Sequence, residues 1–342
     1  MKYLSVNVNI LVFLIYFISI FVIYHSYIHR GWYKTLLFLF GAIILTAGIE
    51  NINVIFGGYE YPDGGITFML YLCPLWVPLG WYVILYCSNF MAHILIGKGK
   101  GSLYVVGIGN EAESGIDKNY LKLTIVRSVF SAYTSILIDL IMDPVGVANG
   151  WWSWKVDNIY IDNIPFGNYI GWFLVIFWML FFYEIVITWA NVKQKKQLIT
   201  SGVWAIASMI AMFLAGIILM GFTLLFGLEG IRTEDPMIDR IYLMDLIVQV
   251  NWTELLISGV VIVILMGIVL ITSFIPNKAP EKPPKEKFWR IMPSILLLVY
   301  WIVMMVVTFM TSTLLIASAT INAIPLFWIC LYYIKHSNLG GE

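Results

Sequence analysis

The sequence predicts an all-α fold: a polytopic transmembrane helix bundle of about nine spans, in one integral membrane domain covering residues 1–342. The chain is 61% hydrophobic and only 12% charged, whereas soluble domains carry roughly 25% charged residues. Several apolar runs reach the length of about 20 residues that a helix needs to cross a bilayer. Lysine and arginine residues also recur in alternate loops, which is typical of a multi-pass protein.

The apolar segments are taken in chain order. The predicted helices cover residues 6–25, 33–55, 66–96, 121–143, 166–190, 199–226, 245–274, 291–311 and 316–335. No small-residue cleavage site follows the first segment, so we interpret it as a span and not as a removed signal peptide. The last two segments form one run that would be roughly 67 Å long as a single helix, against a hydrocarbon core of about 30 Å. This run has to turn, most simply within residues 311–318; one long bent helix, and hence eight spans, is the alternative.

The distribution of basic residues predicts the orientation. Under a nine-span arrangement most of the 20 lysine and arginine residues fall on the side of the odd-numbered loops and the C-terminus. Because cytoplasmic loops carry the excess of positive charge, we expect a cell-membrane protein with its N-terminus outside and its C-terminus in the cytoplasm. Residues 276–288, rich in proline and lysine, are predicted to be a cytoplasmic linker. Acidic and basic residues balance at 20 each, which gives no support for a nucleic-acid partner.

Acidic residues inside apolar segments are the first candidates for function, since a carboxylate at the bilayer centre costs roughly 2.5–3.5 kcal/mol. Asp139 and Asp143 are four residues apart and therefore share one helical face. Glu50 is predicted at the same level, near the outer surface. Two such close acids repel each other when both are ionised, so that one keeps a proton beside a carboxylate, which suits general acid–base catalysis. In the alternative, Asp143 only precedes Pro144 where the helix ends, and Asp139 bonds a neighbouring helix.

The remaining intramembrane acids have simpler interpretations. Asp245 is well placed as an N-cap of the seventh helix, and Glu184 and Glu254 are expected to make polar contacts between helices. The pair Asp139 and Asp143 together with Glu50 could bind Mg²⁺ through oxygen ligands. However, there is no second acid-rich motif and no basic set for a diphosphate, so no metal site is predicted. The three cysteines lie in apolar segments and are expected to be packed thiols.

Aromatic residues surround these acids at the outer ends of the segments. They include Tyr59, Tyr61, Trp76, Trp81, Trp151, Trp152, Trp154 and Trp172. One interpretation is an interfacial belt, because tryptophan and tyrosine concentrate at headgroup depth. The other is a pocket for a long apolar polyene, whose aromatic faces also stabilise a developing cation.

Ordered motifs across about residues 45–190 resemble the carotenoid 1′,2′-hydratase family, which includes γ-carotene hydratases and bisanhydrobacterioruberin hydratases. The first motif is IE followed by GGYEY within residues 49–61, and the second is PLWVPLGW at 74–81. The third is DLIMDP followed by GWWSW within residues 139–154, and the fourth is IPFGNYIGW at 164–172. The combination of Asp-x-x-x-Asp-Pro with the tryptophan-rich sequence after it is the most specific of these. Beyond residue 190 the resemblance is limited to general hydrophobicity.

The resemblance implies addition of water, without a cofactor, across the terminal C=C of an acyclic carotenoid to give a tertiary alcohol. Such a reaction needs an acid for the alkene and a base for the attacking water. Our hypothesis makes Asp139 the proton donor. Asp143 or Glu50 then orients the attacking water or accepts its proton, and Asn168 and the aromatic residues bind the substrate. Two alternatives remain open: hydration of another isoprenoid lipid chain, and a non-catalytic isoprenoid carrier or transporter.

Overall fold

The computed structural model describes residues 7–55, 58–61, 66–96, 118–154, 160–161, 164–193, 195–226, 287–311 and 313–336. The helices in these ranges are α1 (Val8–Ile55), α2 (Trp76–Leu95), α3 (Lys118–Ala148), α4 (Phe166–Val192), α5 (Gln197–Phe226), α6 (Lys287–Thr311) and α7 (Thr313–His336). The described strands form three antiparallel two-residue pairs: β1 (Tyr59–Glu60) with β4 (Ser153–Trp154), β2 (Met69–Leu70) with β3 (Cys73–Pro74), and β5 (Tyr160–Ile161) with β6 (Ile164–Pro165). The predicted all-α membrane fold is therefore confirmed.

Helix α1 consists of two arms that meet at Gly31. This glycine has φ 77° and ψ 166°, a backbone conformation that is accessible to glycine at little cost. The side chains of Ser26 and Thr35, nine residues apart, form a hydrogen bond of 3.0 Å, although nine residues of straight helix span about 13 Å. The chain therefore turns back on itself at Gly31, and the arms correspond to the first two predicted helices.

Five of the described helices are long and apolar enough to cross a membrane. Their apolar spans are Val8–Ile55, Tyr120–Ala148, Phe166–Asn191, Gln197–Ile218 and Ile291–Thr308. The chain is thus a multi-pass membrane protein, while the number of nine crossings and the orientation stay predictions. The predicted helix 245–274, with Asp245 and Glu254, and linker residues 276–286 lie outside the described residues. The boundary between α6 and α7 falls inside the stretch predicted to turn.

Two predicted helix boundaries were wrong. The third helix was expected from residue 66, but the chain forms the β2–β3 hairpin first and α2 begins at Trp76. Pro74 explains part of this difference, because proline disfavours helical backbone in the residue before it. The fourth helix was expected to end at residue 143, whereas α3 continues through Pro144 to Ala148. Asp143 is therefore within a helix, and the interpretation that it marks a helix end does not hold.

Helix α2 lies at the centre of the bundle. It packs against α1, α3, α4, α6 and α7, and every residue from Trp81 to His93 is buried. A helix enclosed on all sides has to satisfy its polar groups through its neighbours. Its polar side chains accordingly bond α1, α3 and α4, in one layer at Trp81 and in a second layer at Asn89 and His93.

Candidate active site

A cavity with about 500 Å³ of empty space, part of it open to the outside, lies at the end of the bundle where α2 begins. Its described lining comes from α1, α2, α3, α4 and the loops between them. The residues are Ile15, Glu50, Tyr59, Tyr61, Trp76, Val77, Gly80, Trp81, Ile84, Met142, Asp143, Trp152, Trp154, Asn168 and Trp172. The cavity therefore combines two carboxyl groups, one amide and an aromatic wall.

Asn168 joins the two aspartates of α3. It lies in the first turn of α4, and its Nδ2 donates to Asp139 Oδ2 at 3.0 Å and to Asp143 Oδ2 at 2.6 Å. Asp139 is fully buried, and within the described residues its Oδ1 has no hydrogen-bond partner. Asp143 lines the cavity and Asp139 does not. The pair is thus arranged with one carboxyl group at the cavity and one enclosed behind it.

Glu50, near the end of α1, is held by three aromatic donors. Its Oε2 accepts hydrogen bonds from the hydroxyls of Tyr59 and Tyr61, the latter at 2.9 Å. Its Oε1 accepts a hydrogen bond from Trp81 Nε1 at 2.9 Å. Burial and the neighbouring Glu50 raise the pKa of Tyr61 well above its usual range, so this phenol remains a donor. Glu50 is therefore fixed in position and faces the same cavity as Asp143.

Stacked tryptophans connect the carboxyl groups across the bundle. The rings of Trp81 and Trp172 lie 3.8 Å apart between centroids with an interplanar angle of 17°. Trp172 follows Asn168 by four residues, so both side chains leave the same face of α4. Through this contact Glu50, Trp81, Trp172 and Asn168 form a continuous set that holds α1, α2, α3 and α4 together at the cavity.

Two loops cover the outer end of the cavity. Tyr59 pairs with Trp154, and Glu60 with Ser153, through the β1–β4 ladder. The Ser153 hydroxyl also donates to Glu60 Oε1 at 3.2 Å, and the rings of Tyr59 and Trp154 meet edge to face at 4.8 Å. Residues that are nearly 100 positions apart in the chain thus form one cover over the carboxyl groups.

The structure brings together the acids Glu50, Asp139 and Asp143, as the sequence predicts. Of the residues predicted to bind substrate, all but one line the cavity: Tyr59, Tyr61, Trp76, Trp81, Trp152, Trp154, Asn168 and Trp172. The exception is Trp151, which is buried beside Trp152 with 6.1 Å between ring centroids. The aromatic residues therefore form a pocket wall, in addition to any interfacial role.

Sequence reasoning missed the apolar part of the lining. Ile15, Val77, Gly80, Ile84 and Met142 line the cavity but carry no chemistry that singles them out in an apolar sequence. On α2 the spacing of 77, 80, 81 and 84 places these residues on one helical face. Because Trp81 was already a candidate, this helical spacing could have identified Val77, Gly80 and Ile84 as cavity residues.

Glu184 belongs to a second, separate polar cluster. Its carboxylate accepts a hydrogen bond from Asn89 at 3.3 Å, and it lies 2.7 Å from His93 Nε2 and 3.2 Å from Arg127 Nη1. Asn89 in turn accepts a hydrogen bond from Arg30 at 3.1 Å. The prediction that Glu184 makes polar contacts between helices is confirmed. Because Arg127 precedes Asp139 by twelve residues on α3, this cluster lies about 18 Å from the acids along the helix axis.

Comparisons with known proteins place the chain in a family. A family model described as "Carotenoid biosynthesis protein" matches residues 7–230, which is more than half of the chain. A bisanhydrobacterioruberin hydratase from Haloarcula japonica is 31% identical over 130 residues. That alignment covers 37% of this chain and 37% of the relative, so it spans little more than a third of either protein. No solved structure matches the chain.

Proposed function

Since the chain belongs to the carotenoid biosynthesis protein family, we propose that it is a cofactor-independent hydratase, a hydro-lyase that adds water to the terminal C=C of an acyclic carotenoid. The observation that carries this proposal is the meeting of two buried carboxyl groups, those of Glu50 and Asp143, at one aromatic cavity, with Asp139 enclosed behind Asp143. The described residues of the cavity lining include no lysine, arginine or histidine. Among the described lining residues, Glu50 and Asp143 carry the strongest acids, and we assign proton transfer to them. The name of the Haloarcula japonica relative supports the same class of reaction.

The position of Asp143 in the cavity lining makes it the better proton donor. Asp139 had this role in our first hypothesis, but only Asp143 lines the cavity. Asp139 shares the amide of Asn168 with it and serves as the partner that keeps one proton on the pair. In the first step Asp143 donates a proton to the alkene carbon that becomes the new C–H, and a tertiary carbocation forms at the neighbouring carbon.

Glu50 is the proposed base. Its three hydrogen-bond donors hold the carboxylate in a fixed orientation at the cavity, as a base that orients water requires. Water attacks the cation, its oxygen forms the C–O bond, and Glu50 accepts the released proton. The faces of Trp76 and Trp152 are available to stabilise the cation before water attacks. The proton returns from Glu50 to the aspartate pair through solvent, so each cycle consumes only the alkene and one water.

Expression of the full chain in hosts that make lycopene or bisanhydrobacterioruberin tests the proposal. Pigments are extracted and their masses compared with those of a host carrying an empty vector. We expect one pigment or both to gain the mass of one water per hydrated end. No gain of water by either pigment, with the protein present in the membrane, would contradict hydration of a carotenoid. Movement of unchanged pigment would favour a carrier, and hydration of a different lipid chain would favour the other isoprenoid substrate.

Asp143→Asn tests the assignment of the acid. Because general acid–base catalysis contributes roughly 10²–10⁴-fold to a rate, we expect the hydration rate to fall by that factor while the protein still inserts. Asp139→Asn should also lower the rate strongly, since it removes the partner of the shared proton. Asn149→Asp is the matched control, because it exchanges an amide and a carboxyl group of equal size just after α3 but outside the cavity lining. We expect it to leave the hydration rate unchanged. Full activity in the Asp143 variant would exclude it as donor.

A further inference from the structure

One oxygen of the aspartate pair lacks a donor among the described residues. Asn168 bonds Oδ2 of Asp139 and Oδ2 of Asp143 through the same nitrogen. The other oxygen of Asp139, Oδ1, has no hydrogen-bond partner within the described ranges, although Asp139 is fully buried. A buried polar atom without a partner is costly, and more so when it belongs to a charged group. We therefore expect a hydrogen-bond donor close to Oδ1.

Tyr300 carries a buried hydroxyl near the aspartate pair. It lies in α6, which packs against α2 and α3, and within the apolar span Ile291–Thr308. Tyr300 is 7% exposed, and its hydroxyl also has no hydrogen-bond partner in the part of the chain that the structure describes. Asp139 and Asp143 both act on this hydroxyl electrostatically, and Asp139 has the stronger effect. A donor without an acceptor and an acceptor without a donor thus lie behind the cavity on the same side of the pair.

The pair can act as proton donor only when its shared proton is on Asp143. Asp143 lines the cavity, whereas Asp139 is enclosed behind it. Burial alone favours the opposite arrangement, because a negative charge is costlier at the more enclosed group. A hydrogen bond to a carboxylate favours its charged form. A donor at Asp139 Oδ1 therefore favours the negative charge on Asp139 and the proton on Asp143.

We propose that Tyr300 is a positioning residue of the active site: its hydroxyl donates to Asp139 Oδ1, directly or through one buried water molecule, and so keeps the proton of the pair on Asp143. The inference rests on the proposed function. It adds a residue that lies outside the range 7–230 matched by the family model. Tyr300 keeps its own proton throughout the cycle. It is not part of the described cavity lining, so it acts on the reaction through Asp139.

Tyr300→Phe tests the inference, because it removes the hydroxyl and leaves the ring. We expect kcat for hydration by the full-length protein to fall about tenfold, while KM stays unchanged because the cavity lining is intact. Tyr183→Phe is the matched control. Tyr183 is likewise buried, and it follows Asn168 by fifteen residues, which is about 22 Å along α4. It should leave kcat and KM unchanged. Equal kcat values for the Tyr300→Phe variant and the original protein would overturn the inference.

The pH dependence of kcat separates positioning from packing. Glu50, Tyr61 and Tyr300 interact with the pair electrostatically, and Tyr169 follows Asn168 on α4. Tyr300→Phe alters none of the other groups. Activity requires a proton on the pair, and it is lost at high pH when that proton dissociates. Because Tyr300 stabilises the ionised pair, its removal should move this basic limb to higher pH by about one pH unit. A residue with a structural role only would lower the amount of folded enzyme without moving the limb.

A double variant tests whether Tyr300 acts through Asp139. In the Asp139→Asn background the charged acceptor is gone, so adding Tyr300→Phe should cause little further loss of kcat. Residues that act as a unit show such non-additive losses. A further tenfold loss in this background would mean that Tyr300 acts independently of Asp139, and would overturn the inference while leaving the proposed function in place.

Infrared spectroscopy of the purified full-length protein in detergent tests the inference without a substrate. The difference spectrum between the original protein and Asp143→Asn assigns the band of the protonated carboxyl group, which is then followed against pH. Tyr300→Phe should move the loss of this band to higher pH by about one pH unit, and Tyr183→Phe should not. This shift in a protein that hydrates no pigment would support the role of Tyr300 and overturn the hydratase. An unchanged titration in the Tyr300→Phe variant would overturn the role of Tyr300 alone.

Discussion

Glu50 accepts hydrogen bonds from three side chains at the cavity. Two phenol hydroxyls and one indole N–H converge on its carboxylate from the first loop and from α2. Hydrogen bonds to a charged group contribute about 1.5–3 kcal/mol each. Glu50 therefore has a well-defined position at the cavity. Its orientation depends on Tyr59, Tyr61 and Trp81, to which the proposed reaction assigns no proton transfer.

We expect Tyr61→Phe to lower kcat/KM by roughly a factor of ten to one hundred, because one donor to Glu50 is lost where the carboxylate orients water. Tyr133→Phe is the control: Tyr133 lies on α3 and is 48% exposed. Hydration kinetics and thermal unfolding would be measured on both variants. A lower unfolding temperature with unchanged kcat/KM per folded molecule would assign Tyr61 a structural role only.

Among single residues, the sequence allowed those with charged, polar or aromatic side chains to be predicted as part of the site. The acids, Asn168 and most of the aromatic lining could be predicted because charged groups are costly in a membrane and because their motifs resemble a known family. Ile15 and Gly80 could not, since an isoleucine or glycine in an apolar helix has no property that distinguishes a cavity from ordinary packing.

Among the elements, α3 and the loop after it depend on one close contact. A Cβ at Gly146 would overlap the indole of Trp152, which packs directly on the helix at that point. Only a glycine permits this approach, and it places Trp152 against the cavity. The last turn of α3 therefore positions part of the aromatic wall.

Gly146→Ala should destabilise the protein by about 1–3 kcal/mol, as overpacking of a filled site does, and should raise KM because Trp152 moves. Gly216→Ala in α5, where an added Cβ meets nothing within 4 Å, should do neither. Denaturant unfolding in detergent would give the two free energies. Equal stability of both variants would show that Trp152 can shift without cost.

Apart from the start of α2, the described helices were predicted to within about five residues, because length and hydrophobicity determine which segments cross a bilayer. The β2–β3 hairpin was missed, since a short apolar run fits a strand and a helix equally well. The β1–β4 pairing was also not predictable, because it joins residues that lie far apart in the chain. It nevertheless decides how Tyr59 and Trp154 cover the site.

Across the whole molecule, two polar layers hold the bundle together. The cluster around Glu184 connects α1, α2, α3 and α4 through Arg30, Asn89, His93 and Arg127. The acids connect the same four helices at the cavity. Which helix lies in the centre could not be read from the sequence, because lateral order in a membrane depends on packing between helices and not on hydrophobicity.

Glu184→Leu should destabilise the protein by about 3–5 kcal/mol, since it leaves the buried Arg127 without its carboxylate. The double variant Arg127→Met, Glu184→Leu should lose less, because an apolar replacement of a whole buried pair is often neutral. The unfolding free energies of Glu184→Leu, Arg127→Met and the double variant give the coupling free energy between Arg127 and Glu184. Strictly additive losses would show that the pair does not contribute as a unit.

The central position of α2 has a consequence for biogenesis. Among the described helices, α2 is not one of those long and apolar enough to cross a membrane by its own composition. Asn89 and His93 find partners on α1, α3 and α4, and Ser88 contacts Ser135 on α3 in addition to carbonyl groups of α2 itself. A nascent chain that stops after α2 would offer the translocon a poorly retained segment. We therefore expect stable integration of α2 to depend on α3 and α4, which carry Arg127 and Glu184, the partners of His93 and Asn89.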